Sequence, residues 1–278
     1  MRYKYNDVTN DARKYYQDDL KFTINGVCLD DKLPFFDTLN VYGRELIARD
    51  IATKNYSTST SGGKSRYGKN KYSTSIKNAF IGSTLGQRQL TIQYRLKSSS
   101  SVDAISNFET LQYYVNQEQA KLSFSDDNKF YYVGTFTSFE EVKSEKLDVI
   151  GKIMFECVDS YKYSFEQFQL NFRSNTTFLT TSKYPILIEE ISITPSGSGG
   201  YVEISNSSSS STIRILNTTT DKIIINTLDN QITDSANRNR MKDLEIFSDL
   251  EDFAISNGDN IAVVGASNCV VKYRERGL

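Results

Sequence analysis

Three adjacent pairs of acids, Asp126–Asp127, Glu140–Glu141 and Glu189–Glu190, come nearest to a catalytic arrangement in this sequence. Two carboxyl groups set across a glycosidic bond, one protonated and one ionised, hydrolyse sugars. Neighbouring residues of a regular strand point to opposite faces, so no pair presents both groups on one side, and solvated turn acids account for them more simply. Asp229, Asn230 and Asp234 offer oxygen ligands for a hard cation but lack the spacing and central glycine of a calcium loop. The chain has no histidine, which removes the commonest general base and the commonest zinc ligand together. Cys28, Cys157 and Cys269 form no CxxC pair and read as buried thiols, not as a disulfide framework or zinc knuckle. No Walker loop, GxGxxG or nucleophile elbow is present. The reading is a chain with no catalytic, cofactor-binding or metal site, and not an enzyme.

The elements that would hold such groups are mostly strands. Aromatic residues make up 12% of the chain and there are only 3 prolines, a mixture with Ser, Thr, Asn and Ile that favours strands and turns. At 278 residues the chain suits two modest domains better than one large core. Leu147, Val149, Gly151, Ile153, Phe155 and Cys157 fall at every second position and define a core strand. Ile150, Met154 and Val158 on its other face call for partial cover by a second layer. At Asp159 the alternation stops, which marks the boundary. The expected organisation is an arm over residues 1–19, a β-rich α+β domain over 20–163 and a β-sandwich over 164–278.

Within the first of these, Leu20, Phe22 and Ile24 alternate ahead of an Asn25-Gly26 turn signal, and Leu90, Ile92, Tyr94 and Leu96 form a second amphipathic strand. Leu39, Val41, Leu46, Ile47 and Ile51 fit neither period and are read as short strands. Ser100 and Asp103 have the spacing of a capping box, and Val102, Ile105, Phe108, Leu111 and Val115 continue at helical spacing to about Glu118. Lys121–Ser125 and Phe130–Phe139 flank a turn at Asp126-Asp127-Asn128 as a hairpin. After the boundary, strands are expected at Tyr184–Ile193, Tyr201–Ile204, Thr212–Leu216, Lys222–Thr227, Ile261–Val264 and Cys269–Arg274, with a further segment at Asp243–Phe253.

Charge adds one local pattern to a formal net charge of −1. Between Asp50 and Asp103 there is no acid, while Lys54, Lys64, Arg66, Lys69, Lys71, Lys77, Arg88, Arg95 and Lys97 are all cations. Ser57–Ser75 interleaves Lys, Gly and Ser with Tyr67 and Tyr72, as phosphate or single-stranded nucleic-acid sites do, but the domain lacks an overall basic surplus. A solvated hairpin or loop is the simpler reading, and no specific nucleic-acid partner is expected. Residues 103–163 are acid-rich, so the two stretches are expected to meet, at least partly between copies. The N-terminus lacks the apolar core of a signal peptide and no apolar run is long enough to span a membrane, so synthesis and folding in the cytoplasm without a membrane partner are expected.

The order of FTING at Phe22–Gly26, the strand QLTIQYRL, the helix through Phe108–Val115, the hairpin LSFSDDNKFYYVGTF and the strand IMFECVDSYKY resembles the distal tail protein (Dit) family of long-tailed phages that infect Gram-positive bacteria. The resemblance covers residues 20–163, and the later part is similar in layout down to the terminal VVKYRER strand. It departs where Ser160 follows Asp159, since the family often has Pro there, and in residues 1–19, which lie ahead of the usual start. The resemblance implies a non-catalytic homohexameric ring, a structural hub at the virion tail tip or baseplate of a siphophage, assembled in the host cytoplasm. It further implies N-terminal domains docked on the major tail tube protein and the tail-associated, tape-measure-proximal protein, and galectin-like C-terminal domains that hold receptor-binding proteins in host attachment. A carbohydrate-binding β-sandwich for host-surface recognition is the alternative; zero Trp counts against it, and glycan-array binding separates the two.

Overall fold

The computed structural model describes residues 20–45, 49–59, 74–145, 148–250 and 253–278. The arm over 1–19, Leu46, Ile47 and Leu147 therefore lie outside the described residues, as does most of the Ser57–Ser75 segment. The protein is mainly β.

The chain opens with β1 (Phe22–Ile24) and β2 (Val27–Cys28), joined where Asn25 and Gly26 both take positive φ, 49° and 82°, as a two-residue hairpin turn requires. Helix α1 (Leu29–Lys32) and β3 (Phe36–Tyr42) follow. β4 (Arg49–Ser59) and β5 (Thr74–Leu85) form a long hairpin of their own. Then come β6 (Arg88–Leu96), α2 (Ser101–Val115), β7 (Ala120–Phe124), β8 (Phe130–Glu145) and β9 (Asp148–Cys157). These strands, apart from the hairpin, make one antiparallel sheet in the order β2-β1-β7-β8-β9-β6-β3. Gly151, Ile153, Phe155 and Cys157 of β9 face inward as their period requires, and β6 buries Leu90, Ile92, Tyr94 and Leu96 opposite them. The cover expected on the other face of β9 is incomplete: Ile150 and Met154 are half-buried, while Val158 is 80% exposed.

The helix starts where the capping box places it, with the Ser100 side chain accepting from the Asp103 amide at 3.1 Å. It ends at Val115, a turn before the expected Glu118, with the Asn116 amide bonded to the Gln112 carbonyl. Only its second half is buried: Leu111 and Val115 are inaccessible, whereas Val102 and Ile105 are 75% and 64% exposed. The apolar stripe is thus longer than the sheet beneath it.

The later strands are β10 (Lys162–Ser164), β11 (Phe168–Phe172), β12 (Thr176–Thr177), β13 (Leu187–Pro195), β14 (Tyr201–Asn206), β15 (Ser211–Leu216), β16 (Ile223–Asn226), β17 (Gln231–Asp234), β18 (Asn260–Val264), β19 (Ala266–Arg274) and β20 (Arg276–Gly277). Sheets β11-β19-β13-β16-β17 and β12-β18-β14-β15 enclose a second apolar cluster, from Phe172 to Tyr273, as a sandwich. The first cluster runs from Phe22 to Cys157 and draws on none of those residues. Strands β10, β11, β12, β17 and β20 have no counterpart in the sequence reading; each is only two to five residues long, too short for a period to stand out. Asp243–Phe253 is not a regular strand in its described part but a 3-10 turn and an extended run against β15.

The two parts are joined through β10, which pairs with β8 on one side (Tyr163 opposite Tyr131) and with the end of the chain on the other (Tyr163 opposite Arg276). The chain's last strand therefore returns to the boundary segment.

Candidate functional surfaces

In each acid pair singled out in the sequence, at least one member is paired with a cation. Asp126 receives both terminal nitrogens of Arg44, at 2.6 and 2.8 Å, and that hydrogen bonding holds its carboxyl below the usual range. Asp127 binds Lys162 Nζ at 2.6 Å and so ties the hairpin turn to β10. Glu140 binds Lys152 at 3.0 Å across β8 and β9, and the side chain of Glu141 lies outside the described residues. Glu189 is the extra residue of a bulge in β13 and binds Arg274 Nε at 2.6 Å, while Glu190 binds Lys272 at 3.0 Å. Burial works against ionisation of Glu190, but hydrogen bonds from Ser192 and Lys272 outweigh it and its pKa is lowered. Asp126 and Glu190 are thus held ionised, the reverse of what a general acid needs.

The oxygen cluster of the second domain also serves the chain itself. Asp229 accepts from the Asn226 side chain at 2.7 Å and Asn230 takes positive φ in the β16–β17 turn. Asp234 accepts from the Ala236 amide at 2.9 Å and from Arg238 Nε at 2.6 Å, closing the following loop. Cys157 and Cys269 are buried, and burial pushes both thiols up to about 12. Cys28, expected buried, is only partly so, because β2 is the edge of its sheet.

Of the basic stretch, two cations among the described residues pair with acids of their own chain, one of them in the acid-rich stretch after residue 103. Arg95 pairs with Asp148 at 2.5 Å and Lys97 with Asp37 at 2.5 Å. Arg88 is buried, donating to the Gly43 carbonyl at 3.3 Å and to that of Arg44, with its guanidinium 5.1 Å from the Tyr132 ring centre. The side chains of Lys54, Lys64, Arg66, Lys69, Lys71 and Lys77 lie outside the described residues. A residue that the sequence reading missed is Asp30, which accepts from the Phe22 amide at 2.9 Å, the Thr38 amide at 2.6 Å and the Thr38 hydroxyl at 2.7 Å. One carboxylate thereby fastens β1 to β3; its position in α1 is a local signal, but its partners are not.

Part of the surface left open is apolar. Beside the uncovered half of α2 runs a groove of about 610 Å³ lined by Tyr94, Leu96, Ile105, Phe108, Phe139 and Val149. A long hairpin, β4–β5, pairs with no other strand among the described residues. At the junction of the two parts, Arg274 and Arg276 lie against Tyr131, Tyr161 and Tyr163, with ring-centre distances of 5.0–5.9 Å.

These features define a mainly-β protein of two cores, one a sheet that carries helix α2 and one a sandwich, laced together by the end of the chain. In sequence, no family model and no curated protein matches. In structure, the chain is similar to the SPP1 Dit (gp 19.1) protein, a hub of the adsorption apparatus in phages that infect Gram-positive bacteria, with a TM-score of 0.72 over 93% of this chain and 99% of that one at 15% identity. It is also similar to a chain of the phage P2 baseplate in its activated conformation with Ca, with a TM-score of 0.50 over 93% of this chain and 98% of that one at 10% identity. The resemblance to distal tail proteins therefore holds at the level of the fold.

Proposed function

We propose that this chain is a non-catalytic structural hub of a phage tail tip or baseplate, a member of the distal tail protein family. The observation that carries the reading is the match of fold over 93% of the chain with a hub protein of the adsorption apparatus. In this reading residues 20–163 form a homohexameric ring between the tail tube and the tail-associated protein, residues 164–278 face outward toward the receptor-binding apparatus, and residues 1–19 are an added docking arm. The open apolar groove beside α2 supports an assembled state, because a contiguous apolar surface gains by being covered. Light scattering on the purified chain, with negative-stain imaging, tests the ring: a particle of about six chain masses with a central opening is expected. A strict monomer at all concentrations overturns the ring, and its absence from purified phage particles overturns the hub.

A further inference from the structure

The groove beside α2 is apolar except at one point. Glu109 is the single charged side chain among the residues that line it, and it is exposed, with no hydrogen-bond or ion-pair partner among the described residues. The helix that carries it brings no cation: residues 98–120 contain Asp103, Glu109 and Glu118 and no Lys or Arg. Asp103 is bonded to serine hydroxyls, which leave its charge in place. The described cations on or beside β6 and β9 are neutralised within the chain, Arg95 by Asp148, Lys97 by Asp37 and Lys152 by Glu140. On the side of Val149, residues 140–148 hold four acids against Lys143 and Lys146.

The chain contains a complement to this groove. Residues 60–73, outside the described residues, carry Lys64, Arg66, Lys69 and Lys71 with no acid, and Tyr67 and Tyr72 lie among them. The β4–β5 ladder fixes where that segment begins and ends. It runs from Arg49 opposite Leu85 to Ser59 opposite Thr74, a length of about 35 Å at about 3.3 Å per residue. Its base adjoins the Arg88 end of β6, whereas the groove takes Tyr94 and Leu96 from the other end of that strand. Since β3 leads into β4 and β5 into β6, the hairpin prolongs the β3–β6 ladder beyond Tyr42 opposite Thr91. A ribbon of this connectivity presents its end to a neighbouring chain rather than to its own groove. The arm over 1–19 is the poorer match, because Arg2, Lys4, Arg13 and Lys14 are offset there by Asp7, Asp11, Asp18 and Asp19.

We propose that residues 60–73 of a second copy seat in the α2 groove, with Tyr67 and Tyr72 against its apolar lining and their flanking cations facing Glu109. Aromatic side chains supply the area that such a groove buries, and the opposed charges set the register. The proposal rests on the self-association in the tail-hub reading and names the two surfaces that meet.

The test uses the full chain with the photo-cross-linker p-benzoylphenylalanine in place of Gln112, an exposed residue of the groove lining, and mixes isotope-labelled with unlabelled chains before illumination. Mass spectrometry is expected to find cross-links from position 112 to residues 60–73 that join one labelled to one unlabelled chain. Replacing residues 60–73 by a Gly-Ser run of equal length, or Glu109→Lys, should each weaken self-association about tenfold or more in light scattering, and Glu109→Gln should weaken it less. Circular dichroism and melting should stay unchanged, since neither site belongs to either core. Cross-links to residues 60–73 confined to single chains overturn the proposal, because the segment then fills its own groove. Association that survives the Gly-Ser replacement, with position 112 cross-linked to another part of the neighbour, overturns it and leaves the hub reading standing. A wild-type chain that stays monomeric at all concentrations overturns the ring and this contact with it.

Discussion

Two glycines show how differently one missing Cβ can matter. A Cβ on Gly151 would stand 2.5 Å from the Tyr94 hydroxyl and 2.6 Å from its Cζ. Tyr94 borders the open groove, so its ring has somewhere to shift, and Gly151→Ala is expected to cost about 1–3 kcal/mol. At Gly43 the Cβ would lie 1.9 Å from the Gln89 carbonyl, which belongs to the backbone of β6, and φ is +89°. Gly43→Ala therefore adds a backbone penalty of about 1–3 kcal/mol to the clash, and its urea midpoint should fall further than that of Gly151→Ala. The cysteines give a second expectation at this scale. Cys157 and Cys269 sit in apolar cores with pKa values pushed up to about 12, so at pH 8 a thiol reagent should modify Cys28 first and the other two only on unfolding. Rapid labelling of all three in the folded chain would show that the cores open.

Helix α2 carries one apolar stripe but two environments. Leu111 is inaccessible among strand side chains, and truncating it leaves a cavity; Leu111→Ala should cost about 2–5 kcal/mol in the isolated chain. Ile105 is largely exposed, and Ile105→Ala should change chain stability by less than about 0.5 kcal/mol while weakening self-association. Denaturant unfolding and concentration-dependent light scattering on both variants separate the two roles. Equal destabilisation would mean that the whole stripe belongs to the chain's own core. The sequence spacing could not draw this distinction, because periodicity reports which face of a helix is apolar and not how far the opposing sheet extends.

The two cores meet at a seam closed by the chain's last residues. The Ser164 amide donates to the Glu275 carbonyl at 2.9 Å and the Glu275 amide to Ser164 Oγ at 3.1 Å, while Arg276 stands over Tyr161 and Tyr163. Glu275 also accepts from the Thr181 amide at 3.3 Å, which brings the sandwich into the same contact. Deleting residues 275–278 should leave both cores folded and make the segment 159–165 the preferred site of limited proteolysis, since β10 would keep only its pairing with β8. Unchanged cleavage would mean that β8 alone holds the boundary. A fragment that stops near Tyr163 carries the same defect, so it is expected to form its sheet with a frayed last strand.

The strands that hold the cores were legible in the sequence wherever one face is fully buried. Leu90–Leu96 and Ile153–Cys157 alternate because each inward position must be apolar, and the Asn25-Gly26 turn and the Ser100 cap declare themselves through backbone chemistry that only a few residues satisfy. Strands β11, β12 and β17, the half-covered helix and the exposure of Ile246 and Phe247 were not legible. These strands are only two to five residues long, too short for their alternation to stand out, and an exposed apolar residue looks the same in sequence as a buried one. The acid pairs drew attention because they are adjacent, but their counter-charges come from other elements: Lys152 from the neighbouring strand, and Arg44, Lys162, Arg274 and Lys272 from segments further along the chain. The sequence by itself determined the class of fold and where most of its inward faces lie, since those follow from local period and turn chemistry. Only the tertiary structure decided which charges are neutralised, where the chain's end is fastened and which apolar groups are left facing water, because each of these depends on pairings between residues far apart in the chain.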